Sequence, residues 1–179
     1  MVELLVLGLA LGVMLSVVWG TLRAGISPMP SSDKARKAML SLLPASVDGP
    51  ILELGSGWGG LACCLAERHP QAPVQGYEVS VLPWLFSVLR QRALGLGNLS
   101  FHRADFRGVD FSGARVLVCY LHPEGMKKLG EALEGGLPRG VMLVSNTFAL
   151  PGFEPHQVLV LDDLYSTRVY SYVGAGIET

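Results

Sequence analysis

The sequence predicts an α/β fold: a Rossmann-like, doubly wound, mostly parallel sheet with a C-terminal antiparallel hairpin, preceded by one N-terminal transmembrane helix. Three observations carry this. Between residues 50 and 147, β-prone runs alternate with helical runs long enough to cross back over a sheet, which specifies parallel strands and right-handed connections. The last two β-prone runs, His156 to Leu161 and Thr167 to Val173, are separated only by Asp162-Asp163-Leu164-Tyr165-Ser166, as in a hairpin on the sheet edge. At the other end, Leu4 to Leu22 is an almost unbroken apolar run without a charge, close to the roughly 20 residues with which a helix crosses a bilayer.

Taken in order, the apolar run is preceded by Glu3 rather than by the basic residues of a signal peptide, and no small-residue cleavage pattern follows it. A retained anchor over residues 1–24 is expected, with residues 25–179 forming the folded domain. Arg23, Lys34, Arg36 and Lys37 all follow the run, so the positive-inside bias expects a single-pass membrane protein with its domain in the cytoplasm, at the inner membrane if the chain is bacterial. The lipid bilayer is then an expected partner. Gly8, Gly12, Ser16 and Gly20 set small side chains on one stripe of that helix, where a second membrane helix can approach. After the connector, Ser31, Ser32 and Asp33 offer capping oxygens to a helix starting near Lys34. Ala35, Ala38, Met39, Leu42 and Leu43 share its apolar face, and Pro44 marks its stop.

The alternation then predicts strand 50–54, helix 59–68, strand 73–78, helix 82–94, strand 99–102, strand 114–120, helix 124–135 and strand 140–147. With 179 residues, half of them apolar, the chain has enough material for one core. Fourteen basic residues against fifteen acidic ones give no basic excess, which disfavours a nucleic-acid partner. Cys63, Cys64 and Cys119 have neither zinc nor disulfide-scaffold spacing and read as small buried hydrophobes in a reducing compartment. No metal constellation is expected among the four histidines.

The stretch that bears on chemistry is Ile51-Leu52-Glu53-Leu54-Gly55-Ser56-Gly57-Trp58-Gly59-Gly60, an apolar strand that places an acid before a glycine turn and a helix start. Gly55, Gly57 and Gly60 also satisfy the G-x-G-x-x-G spacing of dinucleotide sites, since both ligand classes need a tight turn and close backbone approach. Glu53 separates them: a carboxylate there suits an ammonium group and repels a pyrophosphate. Glu78 ends the next strand, at the distance where an acid receives two ribose hydroxyls in doubly wound folds. The pair predicts an S-adenosylmethionine site, in which Ser56, Gly59 and Val79 flank the ligand and Trp58 packs on it. Asp105, at the end of the third strand, is expected to accept from the adenine amino group, with Phe106 covering the ring. A turn aspartate and a core phenylalanine are the plainer readings of that pair.

The fourth strand delivers Cys119-Tyr120-Leu121-His122-Pro123-Glu124 to the carboxyl edge of the sheet, where doubly wound folds place their ligands. Transfer of a methyl group needs an in-line acceptor lone pair and, for an amine, an exit for its proton. His122 is the candidate proton relay, with Tyr120 and Glu124 as candidates for orienting the acceptor, and Tyr120 also borders the cofactor.

The glycine loop with Glu78 resembles motif one and the following acid of class I methyltransferases, over roughly Pro50 to Val144. More narrowly, the chain is similar to the membrane-associated protein-lysine methyltransferases that act on the ATP synthase c-subunit and on the adenine nucleotide translocase. The similarity lies in the apolar amino-terminal segment, Pro30-Ser31-Ser32, Glu53-Leu54-Gly55-Ser56-Gly57, Gly76-Tyr77-Glu78, Pro83-Trp84-Leu85, Arg90-Gln91-Arg92-Ala93 and Phe148 to Pro155. It departs at Trp58, where that family carries an acid, at Gly60, where it carries a basic residue, and at Ser80, where it carries asparagine. The resemblance implies a lysine acceptor on a small integral membrane protein, with Pro30 to Ser32, Tyr120 to Glu124 and Phe148 to Pro151 on the acceptor side. The alternatives are a small-molecule or lipid-headgroup methyltransferase, a non-catalytic cofactor-binding membrane module, and a dinucleotide oxidoreductase.

Overall fold

Helix α1 (Asp33–Ser41) leads into β1 (Ile51–Leu54), α2 (Gly60–Arg68), β2 (Val74–Tyr77), α3 (Val81–Leu94) and β3 (Leu99–His102). A 3-10 turn (Phe106–Gly108) precedes β4 (Val116–Cys119), α4 (Pro123–Ala132), β5 (Met142–Asn146), β6 (Gln157–Val160) and β7 (Arg168–Val173). The computed structural model describes residues 2, 3, 5–8, 12, 32–133 and 135–177. The seven strands form one sheet in the order β3-β2-β1-β4-β5-β7-β6. Strands β1 to β5 pair parallel, whereas β7 runs antiparallel to both β5 and β6. The hairpin therefore enters the sheet through its second strand: β7 lies against β5, and β6 is left on the edge.

Alternation along the strands sorts two cores. Ile51, Val116, Val118, Val144 and Val169 point to one face, where they meet Met39 of α1 and Leu61, Ala62 and Leu65 of α2. Leu52, Leu54, Leu117, Cys119, Leu143 and Tyr172 point to the other, against Met126 and Leu129 of α4. Strands β1 and β4 are buried along their whole length, as expected of parallel strands covered on both sides. The reversal of strand order lies between β1 and β4, so the crevice beyond their carboxyl ends is where this topology places a ligand.

The first helix starts as its sequence suggests, with the Ser32 hydroxyl accepting from the Ala35 N–H at 3.1 Å, and it ends at Ser41, ahead of Pro44. Its neighbour Ser31 and the connector before it lie outside the described residues. After β7 the chain is tied back at Gly174 and Ala175: Gly174 N–H donates to Val141 O at 2.8 Å, and Gly140 N–H to Ala175 O at 2.8 Å.

Among the described residues no helix is long and apolar enough to cross a membrane. This corrects the expected transmembrane helix and the single-pass placement drawn from it. Of the apolar run, only residues 5–8 and 12 are described as helix, together with 2 and 3 before it. Hydropathy shows what a helix would bury, not that a helix of that length forms; the remainder of the run lies outside the described residues.

Candidate cofactor and acceptor site

The glycine loop is held from below by β2. Gly55 N–H and Ser56 N–H both donate to Tyr77 O at 2.9 Å, and Gly59 N–H closes a turn onto Ser56 O at 2.9 Å. Three consecutive odd positions, Gly55, Gly57 and Gly59, have positive φ (76°, 52° and 73°), which glycine adopts without the clash a Cβ creates. Two of them differ in surroundings. A Cβ on Gly59 would lie 2.7 Å from both the Phe101 ring and Ser87, so this glycine is required by packing. A Cβ on Gly57 would meet nothing within 4 Å, so here the backbone is bared to open space. Such exposed backbone is the cradle a ligand approaches.

Glu78 reaches across to this cradle. Its Oε2 accepts from Gly57 N–H at 2.9 Å and its Oε1 from Ser80 N–H at 2.7 Å, so one carboxylate fixes both the loop and the start of α3. A carboxylate offers about four lone-pair sites, and each oxygen therefore keeps capacity for a second donor. Val79 beside it is exposed.

Glu53 points beneath the loop, toward the amino end of α2. The N-cap of that helix is Gly59, which has no side chain to offer, and the Glu53 carboxyl takes over the duty by accepting from the Ala62 N–H. The residue is only 5% exposed, and its Oε2 has no hydrogen-bond partner. Burial, with a smaller contribution from the Glu78 charge, pushes its pKa up to about 8 against the pull of the Ala62 N–H. Ser56, also buried, leaves its hydroxyl without a partner. Buried polar atoms left unsatisfied are uncommon and call for an explanation. Two of them beside a bared glycine fit a ligand carrying hydrogen-bond donors and a positive charge, which is the amino-acid end of S-adenosylmethionine.

Other expected contacts are placed differently. Trp58 packs edge-to-face on Phe86 of α3, with ring centroids 5.4 Å apart, so it has a partner within the protein. Asp105 accepts from the Arg107 N–H at 3.0 Å and pairs with the Arg107 guanidinium at 2.6 Å, which holds its carboxyl below the usual range. It braces the 3-10 turn, a local duty. Phe106 is half-buried and packs on the core shared with α4. Trp84 donates its indole N–H to Phe101 O at 3.2 Å.

Beyond β4, Tyr120 and His122 are half-buried at the carboxyl edge, and His122 is the N-cap of α4 without a capping side-chain bond. Its ring borders Gly125. Glu124 is exposed and faces Lys128 at 3.7 Å one turn on. Next to this segment, the end of β5 carries features that no local pattern announces: buried Asn146, and Thr147 with φ 68°, rare for a β-branched residue. Arg36 of α1 and Arg90 of α3 converge on Gly60, within 3.0 and 3.8 Å of where its Cβ would stand. Sequence patterns miss them because the approach joins three separate helices.

Comparisons with known proteins bear on this geometry. The family model described as the ANTKMT methyltransferase domain matches residues 53–157. The chain is 30% identical over 141 residues to the adenine nucleotide translocase lysine N-methyltransferase of Mus musculus, covering 77% of this chain and 60% of that protein. It is 26% identical over 147 residues to a protein-lysine N-methyltransferase of Saccharolobus islandicus, covering 81% of this chain and 91% of the relative. Among solved structures, an RNA methyltransferase from Salinibacter ruber in complex with S-adenosyl-L-homocysteine shares the fold, with a TM-score of 0.73, 24% identity, and coverage of 84% of this chain and 97% of that one.

Proposed function

Because the chain belongs to the ANTKMT methyltransferase family and carries its class I S-adenosylmethionine-dependent domain, we propose that it methylates a lysine side chain of a protein. The observation that carries the reading is the glycine cradle: Gly57 faces open space in a loop where the buried Ser56 hydroxyl and Glu53 Oε2 have no partner, while Glu78 accepts from the Gly57 N–H. When bound, S-adenosylmethionine supplies a methyl group made electrophilic by its sulfonium. Glu53 and Ser56 receive the amino-acid end, and the free lone pairs of Glu78 accept from the ribose hydroxyls. Gly55, Gly57 and Gly59 admit the backbone close to the ligand, and Val79 lines the mouth.

Glu78 at the end of β2 would hold the ribose, which leaves the β4 and β5 side of the crevice for the acceptor. Tyr120 and His122 border that space. A lysine amine attacks only as the free base, and its ordinary pKa of about 10.4 keeps it protonated at neutral pH, so a group that takes up the proton speeds transfer. His122 fills that role and Tyr120 orients the amine. Glu124, exposed and turned to Lys128, is given none. The names of the relatives extend the proposal to a lysine on a membrane protein, as in the translocase enzyme.

The test is transfer of label from methyl-tritiated S-adenosylmethionine to a detergent-solubilised membrane-protein fraction, followed by mass spectrometry of the labelled peptides. Methyl-lysine is expected. His122→Ala is expected to lower transfer about tenfold or more, with affinity for S-adenosylhomocysteine unchanged. Label recovered in lipid or small molecules instead of peptide would replace the lysine acceptor with a headgroup or metabolite acceptor.

A further inference from the structure

Glu53 is asked to do two things that pull against each other. As the cap of α2 it must stay buried beneath the loop, where one oxygen accepts from the Ala62 N–H and the other has no partner. As a seat for a cationic ligand it must be charged. The groups that face it do not help it ionise: Glu78 from the end of β2 is an acid, and Cys63 and Cys64 on α2 and Cys119 on β4 are thiols. The cations nearby, Arg36 and Arg90, converge on Gly60 and act on the Cys64 thiol.

We propose that cofactor binding is proton-coupled at Glu53: the carboxyl is neutral in the free protein and releases one proton to solvent when the ligand's ammonium group settles beside it. The inference rests on the S-adenosylmethionine reading and adds a linkage to it. The balance is simple. The acid O–H bond breaks, the proton goes to bulk buffer, and the new carboxylate pairs with the ammonium; no electrons move and no co-reactant is needed. Burial of the uncharged acid costs far less than burial of an unpaired carboxylate, and the arriving cation removes that difference. The raised pKa of about 8 agrees with the geometry.

The sign follows from linkage. Because the free protein holds a proton that the complex lacks, affinity rises with pH below the raised pKa, about tenfold from pH 6 to pH 7, and levels off above it. Calorimetric titration of the full chain with S-adenosylhomocysteine in phosphate and in Tris, buffers of different ionisation enthalpy, reads the proton count directly. One proton released per ligand is expected at pH 7. With 5′-methylthioadenosine, which lacks the amino-acid end, no release is expected. Glu53→Gln keeps a carbonyl oxygen for the Ala62 N–H and is expected to fold, as thermal melting checks, but to lose both the release and the pH slope. Tight binding with a buffer-independent enthalpy, or release that persists in Glu53→Gln, overturns the proposal. A folded wild-type protein that binds no S-adenosylhomocysteine overturns the cofactor reading beneath it, a different result.

Discussion

At the β1–β2 end of the carboxyl edge, the loop is tied to its neighbours, with only the buried Ser56 hydroxyl and Glu53 Oε2 left without a partner among the described residues there. Tyr77 O takes two loop N–H groups, Glu78 takes two more, and Glu53 caps the next helix. At the β4–β5 end, Tyr120 and His122 stand half-buried, Glu124 turns to solvent, and the backbone is bent through the left-handed region at Thr147. The first end is finished before any ligand arrives. The second is a frame whose remaining walls an acceptor would supply. This division suits an enzyme whose cofactor is constant and whose acceptor is a macromolecule, because preorganisation is useful only where the ligand is always the same.

If the contrast is sound, the largest effect should come from the finished end. Glu78→Ala strands the Gly57 and Ser80 N–H groups and removes the ribose acceptor together. S-adenosylhomocysteine affinity measured by calorimetry should fall about 100-fold, the sum of roughly two lost charge-assisted hydrogen bonds. Retention of wild-type affinity would mean that the carboxylate only braces the loop. A sharper contrast lies within the loop itself. Gly59→Ala drives a methyl group to 2.7 Å from Phe101 and Ser87 at positive φ and should destabilise the fold by about 2–4 kcal/mol in chemical denaturation. Gly57→Ala meets no neighbour and should cost only about 1 kcal/mol for its backbone, yet weaken the ligand more than Gly59→Ala does in whatever protein remains folded. The smallest effect belongs to the open end: Glu124→Gln removes an exposed pair one helical turn apart. Stability should change by less than about 0.5 kcal/mol and the transfer rate by less than about twofold. A tenfold loss of rate would return this residue to the reaction.

The sequence foretold the sheet because strand alternation and crossover helices are local patterns, and β1 and β4 are buried along their length, apolar but for Glu53, as doubly covered strands are. It placed Glu53, the glycines and Glu78 correctly on β1, the loop and the end of β2. Their bonding was out of reach. That Glu53 caps α2 follows from Gly59 having no side chain and from Ala62 folding over the end of β1, which is a matter of helix placement. Trp58 meets Phe86 because α3 passes beside the loop, a contact between separate elements. Asp105 pairs with Arg107 two residues on, the local bonding that its turn reading foresaw. For the apolar amino-terminal run, length and hydropathy led to a span, whereas among the described residues no helix is long and apolar enough to cross a membrane.

The position of β6 outside β7 has a consequence for the protein as a material. Among the described residues no strand lies beside its outer row of backbone donors and acceptors, and Gln157-Val158-Leu159-Val160 carries no charge, with Val158 and Val160 exposed. Natural sheets blunt such edges with lysine, proline or a bulge, and this strand has none of them between its ends. Pro155 before it and Asp162-Asp163 after it are the nearest gatekeepers. Concentrated or partly unfolded chains thus have a short, sticky template through which one sheet can continue into the next.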